Sequence, residues 1–379
     1  MQQLSDQDKE LLRDSATRFF NEQMPVSAMR EIRDQQHPDG FSREMWAGMA
    51  GMGWSGILVA EQLGGLALGH ASMGIIMEAS GRTLAASPLL STAVLGANLV
   101  QKLATPEQRD SLLEKIISGE LLCALAIEEH RRHCPNAIAT TAEETSDGFV
   151  LNGSKNFVLD GHVADRLIVL ARTSGAHEDC SGLSLFIVDA KTSGITIERA
   201  HMVDGRNAAK IRFDNVVCAN ACLLGEKDNA FETLDQCLDF ARAAISAEML
   251  GSISEAFDRT IEYLKLRTQF DVPIGSFQAL KHRAAEMFCE IELTRSAVLE
   301  AQNALDEAHE SSARLVSLAK AKASSTFERV SNEALQMHGG IGMTDAEEIG
   351  LFLKRARVAQ QIFGDYEFHR DRYARLSGF

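Results

Sequence analysis

Residues 335–368, LQMHGGIGMTDAEEIGLFLKRARVAQQIFGDYEF, hold two kinds of residue that could do chemistry. Gly339 and Gly340 remove side chains from a turn, where backbone can then approach a ligand closely. Further on, Gly364 precedes two acids, Asp365 and Glu367. A carboxylate can take a proton when desolvation raises its pKa toward neutrality. Plain readings stand beside these. The glycines could form a helix C-cap turn. Asp365 could be a solvated acid or the cap of the YEFHRDRYARL segment. Upstream, Arg267 taken alone reads as a solvated charge at a helix end, and Phe270 and Phe277 read as core. The seven cysteines are scattered. Cys218 and Cys222 are the closest pair, but no second Cys or His pair completes a zinc set, so they read as buried small residues and no metal is expected.

The elements that must position these residues belong to a chain of 379 residues, long enough for two or three domains. Its 45% hydrophobic and 24% charged content is that of a globular protein. No apolar run approaches the roughly 20 residues of a membrane span. The polar, acidic start MQQLSDQDKELLRD does not read as a targeting peptide, so the expected location is cytoplasmic. An odd cysteine count suits a reducing compartment. A formal net charge of −15 argues against nucleic acid as partner. It leaves room for an anionic ligand in a local basic pocket.

The spacing predicts helices through the first third. LSDQDKELLRDSATRFFNEQM follows Ser5 as N-cap, and ATPEQRDSLLEKIISGE has Thr105 as cap, Pro106, Gln108 for a capping box and Gly119 as stop. From about Leu121 the period shortens. DGFVLNGSKNFVLDG alternates around Asn152-Gly153, a hairpin turn signal. Short β-rich runs follow, as in a compact antiparallel β domain. From about Asn229 four long helical segments are expected, near 230–268, 277–309, 311–338 and 345–375, with short connections as in an antiparallel bundle. The fold class is α+β: an N-terminal helical domain (1–120), a middle antiparallel β domain (121–228) and a C-terminal four-helix bundle (229–379).

Several stretches, in this order, resemble the acyl-CoA dehydrogenase family over almost the whole chain. They are GWSGILVAEQLGG, with Ala60 where proline is usual; LNGSKNFVLDGHVADRLIVLART; YLKLRTQFDVPIGSFQALKHRAAEM, with Asp271 for a usual glycine; and LQMHGGIGMT. KHRAAEM and FGDYEFHRDRYARL resemble the small-subunit type, such as pimeloyl-CoA dehydrogenase small subunits and steroid side-chain subunits. The resemblance implies FAD held between two subunits, one chain's bundle completing its neighbour's site. The matching positions are Arg267, Gln269, Phe270, Phe277, Gln278, Gln336, Gly339 and Gly340. Arg267 would meet pyrophosphate oxygens and the two phenylalanines would give apolar walls.

The same resemblance implies changes on the flavin ring's own side. Glu128 stands where a threonine is usual, His133-Cys134 where Gly-Ser is usual, Phe157 for a tryptophan and Leu159 for a threonine. Phe157 could still stack. A carboxylate facing a ring that becomes anionic on reduction is unfavourable, and leucine cannot donate a hydrogen bond. The family's catalytic glutamate falls on Gly364, and its alternative position falls on Ala241, before Arg242, which is carried over as a substrate-side residue. Asp365 is one residue late, turned by about 100° on a helix, and is the candidate base, ahead of Glu367.

The expected function is FAD-dependent α,β-dehydrogenation of an acyl-CoA thioester by a subunit that completes a partner's FAD site and lacks its own glutamate. The alternatives are a self-sufficient enzyme using Asp365, and a flavin monooxygenase or oxidase on the same fold. Expected partners are an acyl-CoA, a homologous subunit in a homo- or hetero-oligomer (dimer or tetramer) and an electron-transfer flavoprotein, with neither membrane nor nucleic acid.

Overall fold

The computed structural model describes residues 4–379. Helix α1 (Asp6–Gln23) starts at Ser5, whose hydroxyl accepts from the Asp8 amide at 3.2 Å. After α2 (Val26–Asp34), α3 (Arg43–Gly51), α4 (Gly69–Arg82) and α5 (Ala97–Leu103) comes α6 (Pro106–Ile117). Both halves of its capping box form: the Gln108 amide donates to the Thr105 hydroxyl, and the Thr105 amide to the Gln108 side chain. Gly119, at φ +79°, ends the turn.

Ten strands follow the change of period: β1 (Cys123–Ala126), β2 (Thr141–Thr145), β3 (Gly148–Leu159), β4 (Arg166–Arg172), β5 (Leu183–Asp189), β6 (Ile195–His201), β7 (Asn207–Ala219), β8 (Leu223–Leu224), β9 (Thr268–Gln269) and β10 (Val272–Pro273). The first eight form one sheet in the order β6-β7-β3-β2-β4-β5-β8, with β1 on β4. Most pairs are antiparallel, as expected, but β1 and β2 each meet β4 in parallel. Its core includes Phe149, Leu151, Val169, Phe186, Ile211 and Cys218.

The expected turn at Asn152-Gly153 is corrected. The β2–β3 turn lies at Ser146-Asp147, and Asn152-Gly153 is a bulge inside β3, where the register against β7 shifts. Packing explains it. Gly153 sits at φ +148°, and a Cβ there would meet Thr140 Oγ1 at 2.5 Å. The Asn152 side chain accepts from the Asn215 amide at 2.8 Å.

Three of the long bundle helices match the periodic segments: α7 (Phe231–Leu266), α8 (Gln278–Asp306) and α9 (Ser312–His338). The fourth is broken into α10 (Ile349–Ala359) and α11 (Tyr366–Leu376). The reason is local. Phe363 (φ +54°) and Gly364 (φ +111°) take successive positive φ values, which an α-helix does not allow.

The chain divides into two compact units. One holds residues 35–69 and 87–241, with the sheet; the other holds described residues 4–34, 70–86 and 242–379, with the bundle. Within the bundle unit, α4 and α7 cross at backbone contact. A Cβ on Gly81 would lie 2.0 Å from the Glu248 carbonyl oxygen, and one on Gly251 would lie 1.9 Å from that of Glu78. Glu248 then pairs with Arg355 of α10 at 2.8 Å, both side chains 3% exposed. Breaking such a pair from one side costs about 3–5 kcal/mol, because the remaining charge stays buried. No described helix is long and apolar enough to cross a membrane.

Candidate functional site

The bundle unit carries an outward-facing set of residues at the ends of α7 and α9. Past Leu266 the chain makes the two-stranded β9–β10 hairpin, with Phe270 and Asp271 both at positive φ. Phe270 at its tip is 86% exposed and meets Phe277 edge-on at 6.1 Å between centroids. For a bulky residue a positive φ is a conformational outlier, and here it carries the ring into solvent. Arg267, Gln269 and Gln278 are exposed as well.

The glycine turn is tied to the base of this hairpin. The Tyr263 hydroxyl on α7 donates to the His338 carbonyl at 3.2 Å, and the two rings stack at 4.3 Å. Gln336 faces solvent one turn before Gly339. Gly339, at φ +65°, needs to be glycine for its conformation. Gly340 has no positive φ, and a Cβ there would meet nothing within 4 Å. The chain's own packing therefore does not require glycine at 340. Downstream, Arg33 holds the Asp345 carboxylate through two bonds of 2.8 Å, and Arg30 donates to the Asp345 carbonyl.

At the break between α10 and α11 the space for a base is closed. A Cβ on Gly364 would lie 2.4 Å from Phe368 Cδ1 and 2.8 Å from His369 Nε2. Asp365 is the N-cap of α11: its Oδ1 accepts from the Phe368 amide at 2.9 Å. Glu367 lies exposed in the first turn of α11. Ala241 and Arg242 are fully buried. Arg242 Nε donates to the Phe363 carbonyl at 3.2 Å, and its guanidinium lies over the Phe368 ring at 5.6 Å.

Sequence reasoning did not find Lys320, buried beside this break. Its Nζ donates to the carbonyls of Gln360 at 3.1 Å and Gly364 at 3.0 Å, pinning the end of α10. Burial, with Arg242 nearby and against the pull of Asp365, pushes its pKa down to about 7. The signal was present: Lys320 falls four residues after Val316 and four before Ser324, on the stripe α9 buries.

The sheet unit holds the positions matched to the flavin ring's own side. Glu128 is bonded to His133 Nδ1, the two side chains 13% and 2% exposed. Glu129 pairs with the wholly buried Lys155 at 2.7 Å and accepts from the Ala139 and Thr140 amides. Burial alone would raise the Glu129 carboxyl, but Lys155 and these bonds hold it below the usual range. Burial also pulls Lys155 down to about 8, against the opposing charge of Glu129. Phe157 is partly exposed at φ +51°, where the β3 register shifts against β7, and Leu159 ends that strand. The sequence did not announce that Glu129 of EEHRRH would meet a buried lysine, because that partner, Lys155, comes from β3.

Among the described residues no group of three or more His, Cys, Asp or Glu could hold a metal. Three family models match: acyl-CoA dehydrogenase N-terminal domain at residues 6–120, middle domain at 124–216 and C-terminal domain at 231–377. An acyl-CoA dehydrogenase of Bacillus subtilis is 31% identical over 341 residues, covering 88% of this chain and 89% of the relative. Among solved structures, the acyl-CoA dehydrogenase from Geobacillus kaustophilus superposes with a TM-score of 0.91 at 26% identity, covering 99% of both chains. A variant of the Tcur3481-Tcur3483 steroid ACAD gives 0.87 at 29% identity, covering 98% of both.

Proposed function

This chain belongs to the acyl-CoA dehydrogenase family, and we propose that it is one subunit of a heteromeric, FAD-dependent acyl-CoA dehydrogenase. It lends residues to a neighbour's flavin site and leaves the catalytic glutamate to that neighbour. The observation that carries this reading is the contrast between two regions. Every position expected to serve a neighbour is exposed or partly exposed and, at Gly340, is glycine without need from the chain itself. The position expected to hold the base is Gly364, where a Cβ would lie 2.4 Å from Phe368 Cδ1 and 2.8 Å from His369 Nε2, so neighbours must shift for any side chain.

The lent set fits FAD. Arg267 would face its pyrophosphate, Phe270 and Phe277 would cover apolar parts, Gln269, Gln278 and Gln336 would exchange hydrogen bonds, and Gly339-Gly340 would admit close backbone approach. When bound, FAD supplies a hydride acceptor for the β carbon of an acyl-CoA. The chain's own flavin-side residues fit the ring poorly. Glu128 presents a carboxylate committed to His133 in place of a small hydroxyl, and Leu159 offers no donor. Asp365 is engaged as a helix cap, which weighs against a self-sufficient enzyme using it as base. The neighbour named as a pair, Tcur3481-Tcur3483, supports a two-chain enzyme, and an electron-transfer flavoprotein is the proposed acceptor downstream.

The test is expression of the chain alone and together with a homologue that carries the glutamate. The expected result is little flavin absorbance alone, and a yellow, acyl-CoA-oxidising complex of both chains by native mass. A stoichiometrically yellow chain that turns over acyl-CoA by itself would overturn the reading.

A further inference from the structure

A cleft of about 560 Å³ in the bundle unit, between α1, α4, α7 and α8, has no part in the function above. Arg13, Thr17 and Asn21 line it from one face of α1, a turn apart from each other. Ile75 and Ala79 of α4, both buried, give it an apolar patch. Glu78 and Arg82 of α4, Glu255 of α7 and Arg295 of α8 complete the wall.

The two carboxylates of this wall are already engaged. Arg295 Nη1 donates to Glu78 Oε1 at 2.8 Å. Arg82 Nη2 meets Glu255 Oε2 at 2.9 Å and Asp258 Oδ2 at 2.6 Å. Each pair joins two helices, so both guanidinium groups are braced. Arg82 uses only Nη2, which leaves its Nε and Nη1 as donors. Among the described residues, no hydrogen bond or ion pair engages Arg13, Thr17 or Asn21. What the wall leaves open is therefore rich in donors: two guanidinium groups, a hydroxyl and an amide. Three arginines against two glutamates also make it a local excess of positive charge in a chain of net charge −15.

We propose that this cleft binds an organic phosphate monoester, its phosphate on Arg13 and Arg82 and its apolar body on Ile75 and Ala79. The volume lies within the roughly 300–1,000 Å³ typical of small-molecule sites, and an inorganic ion would leave most of it unfilled. A phosphate monoester brings three acceptor oxygens and a charge of roughly −1.5 to −2 at pH 7. A carboxylate brings fewer oxygens and less charge, and would leave more of the open donors unmet. Guanidinium forks match phosphate geometry through paired N–H bonds, and Thr17 and Asn21 can serve the oxygen that remains.

The test is calorimetric titration of the folded full chain with hexyl phosphate, hexanoate, hexanol and inorganic phosphate. The expected result is one saturable site for hexyl phosphate, weaker binding of hexanoate and of inorganic phosphate, and none of hexanol. Arg13 is exposed and unpaired, so Arg13→Ala should weaken hexyl phosphate roughly tenfold or more and leave the unfolding midpoint unchanged. Thr17→Val should weaken it less. No saturable binding at millimolar hexyl phosphate, equal binding of hexanol, or unchanged affinity in Arg13→Ala would overturn the proposal. Hexanoate binding at least as tightly as hexyl phosphate would overturn the assignment of phosphate as the recognised group.

Discussion

Gly364 decides what this chain cannot be made to do by a single substitution. A Gly364→Glu variant would place a Cβ 2.4 Å from the Phe368 ring at φ +111°, so the turn must shift before any carboxylate can form part of a site. Overpacking and an unfavourable φ together predict a loss of about 2–4 kcal/mol in stability, without gain of acyl-CoA oxidation by the chain alone. Denaturant titration and a turnover assay on the same sample check both halves, and a stable, active variant would contradict them. Lys320, bonded to the Gly364 carbonyl, makes a pH prediction. Its folded pKa is lowered to about 7, whereas an unfolded lysine titrates near 10.4. Between those values the unfolded chain binds more protons, so this group makes stability rise with pH, and the contribution is lost as pH falls toward 7. Arg242, Arg355 and Asp365 face the same ammonium and remain in place in a Lys320→Met variant. Stability of the native chain relative to that variant should therefore climb between about pH 7 and 10; a flat difference would mean that Lys320 titrates as an ordinary surface lysine.

Helix α11 depends on Asp365, its N-cap. Asp365 accepts from the Phe368 amide, so Asp365→Ala should cost about 0.5–2 kcal/mol while Asp365→Asn, still able to cap, should cost less. If the chain turned over acyl-CoA alone through Asp365, the stability order would be the same but the Asn variant would lose all activity. Caps of this kind explain how much of the fold the sequence carried. Ser5 and Thr105–Gln108 were legible because an N-cap is satisfied by residues within one turn of itself. The glycine turn after α9 was legible for the same reason, and so was the alternative of Asp365 as a cap. Asn152-Gly153 misled because its local chemistry suits a turn, whereas contacts with Thr140 and Asn215 make it a bulge. The break at Phe363-Gly364 was hidden inside an otherwise continuous helical period. Lys155 was hidden because its partner Glu129 comes from a separate segment, whereas Lys320 lay on a readable buried stripe of α9 and the Glu128–His133 pair lies within one short loop.

At the scale of the whole molecule, stability and the proposed binding role occupy different residues. The interior is held by buried pairs such as Glu248–Arg355 and by close helix crossings at Gly81 and Gly251. The residues proposed to serve a neighbour's FAD lie at the surface, and their substitution removes little from the isolated fold. Arg267→Ala, Phe270→Ser and Gly340→Ala in this chain should therefore leave its unfolding midpoint almost unchanged. In the co-expressed complex the same variants should weaken flavin retention, roughly tenfold or more for Arg267, whose proposed charge-assisted bonds to phosphate would have no substitute. Gly340→Ala is the sharpest of the three. Its Cβ meets nothing in this chain, so any flavin loss must come from a ligand or subunit approaching the turn from outside. Flavin content of the purified complex, measured beside the thermal unfolding of the single chain, separates the two effects. Equal flavin content in all three variants would mean that this face serves no neighbour's cofactor, and a parallel fall in unfolding midpoint would return these residues to the fold.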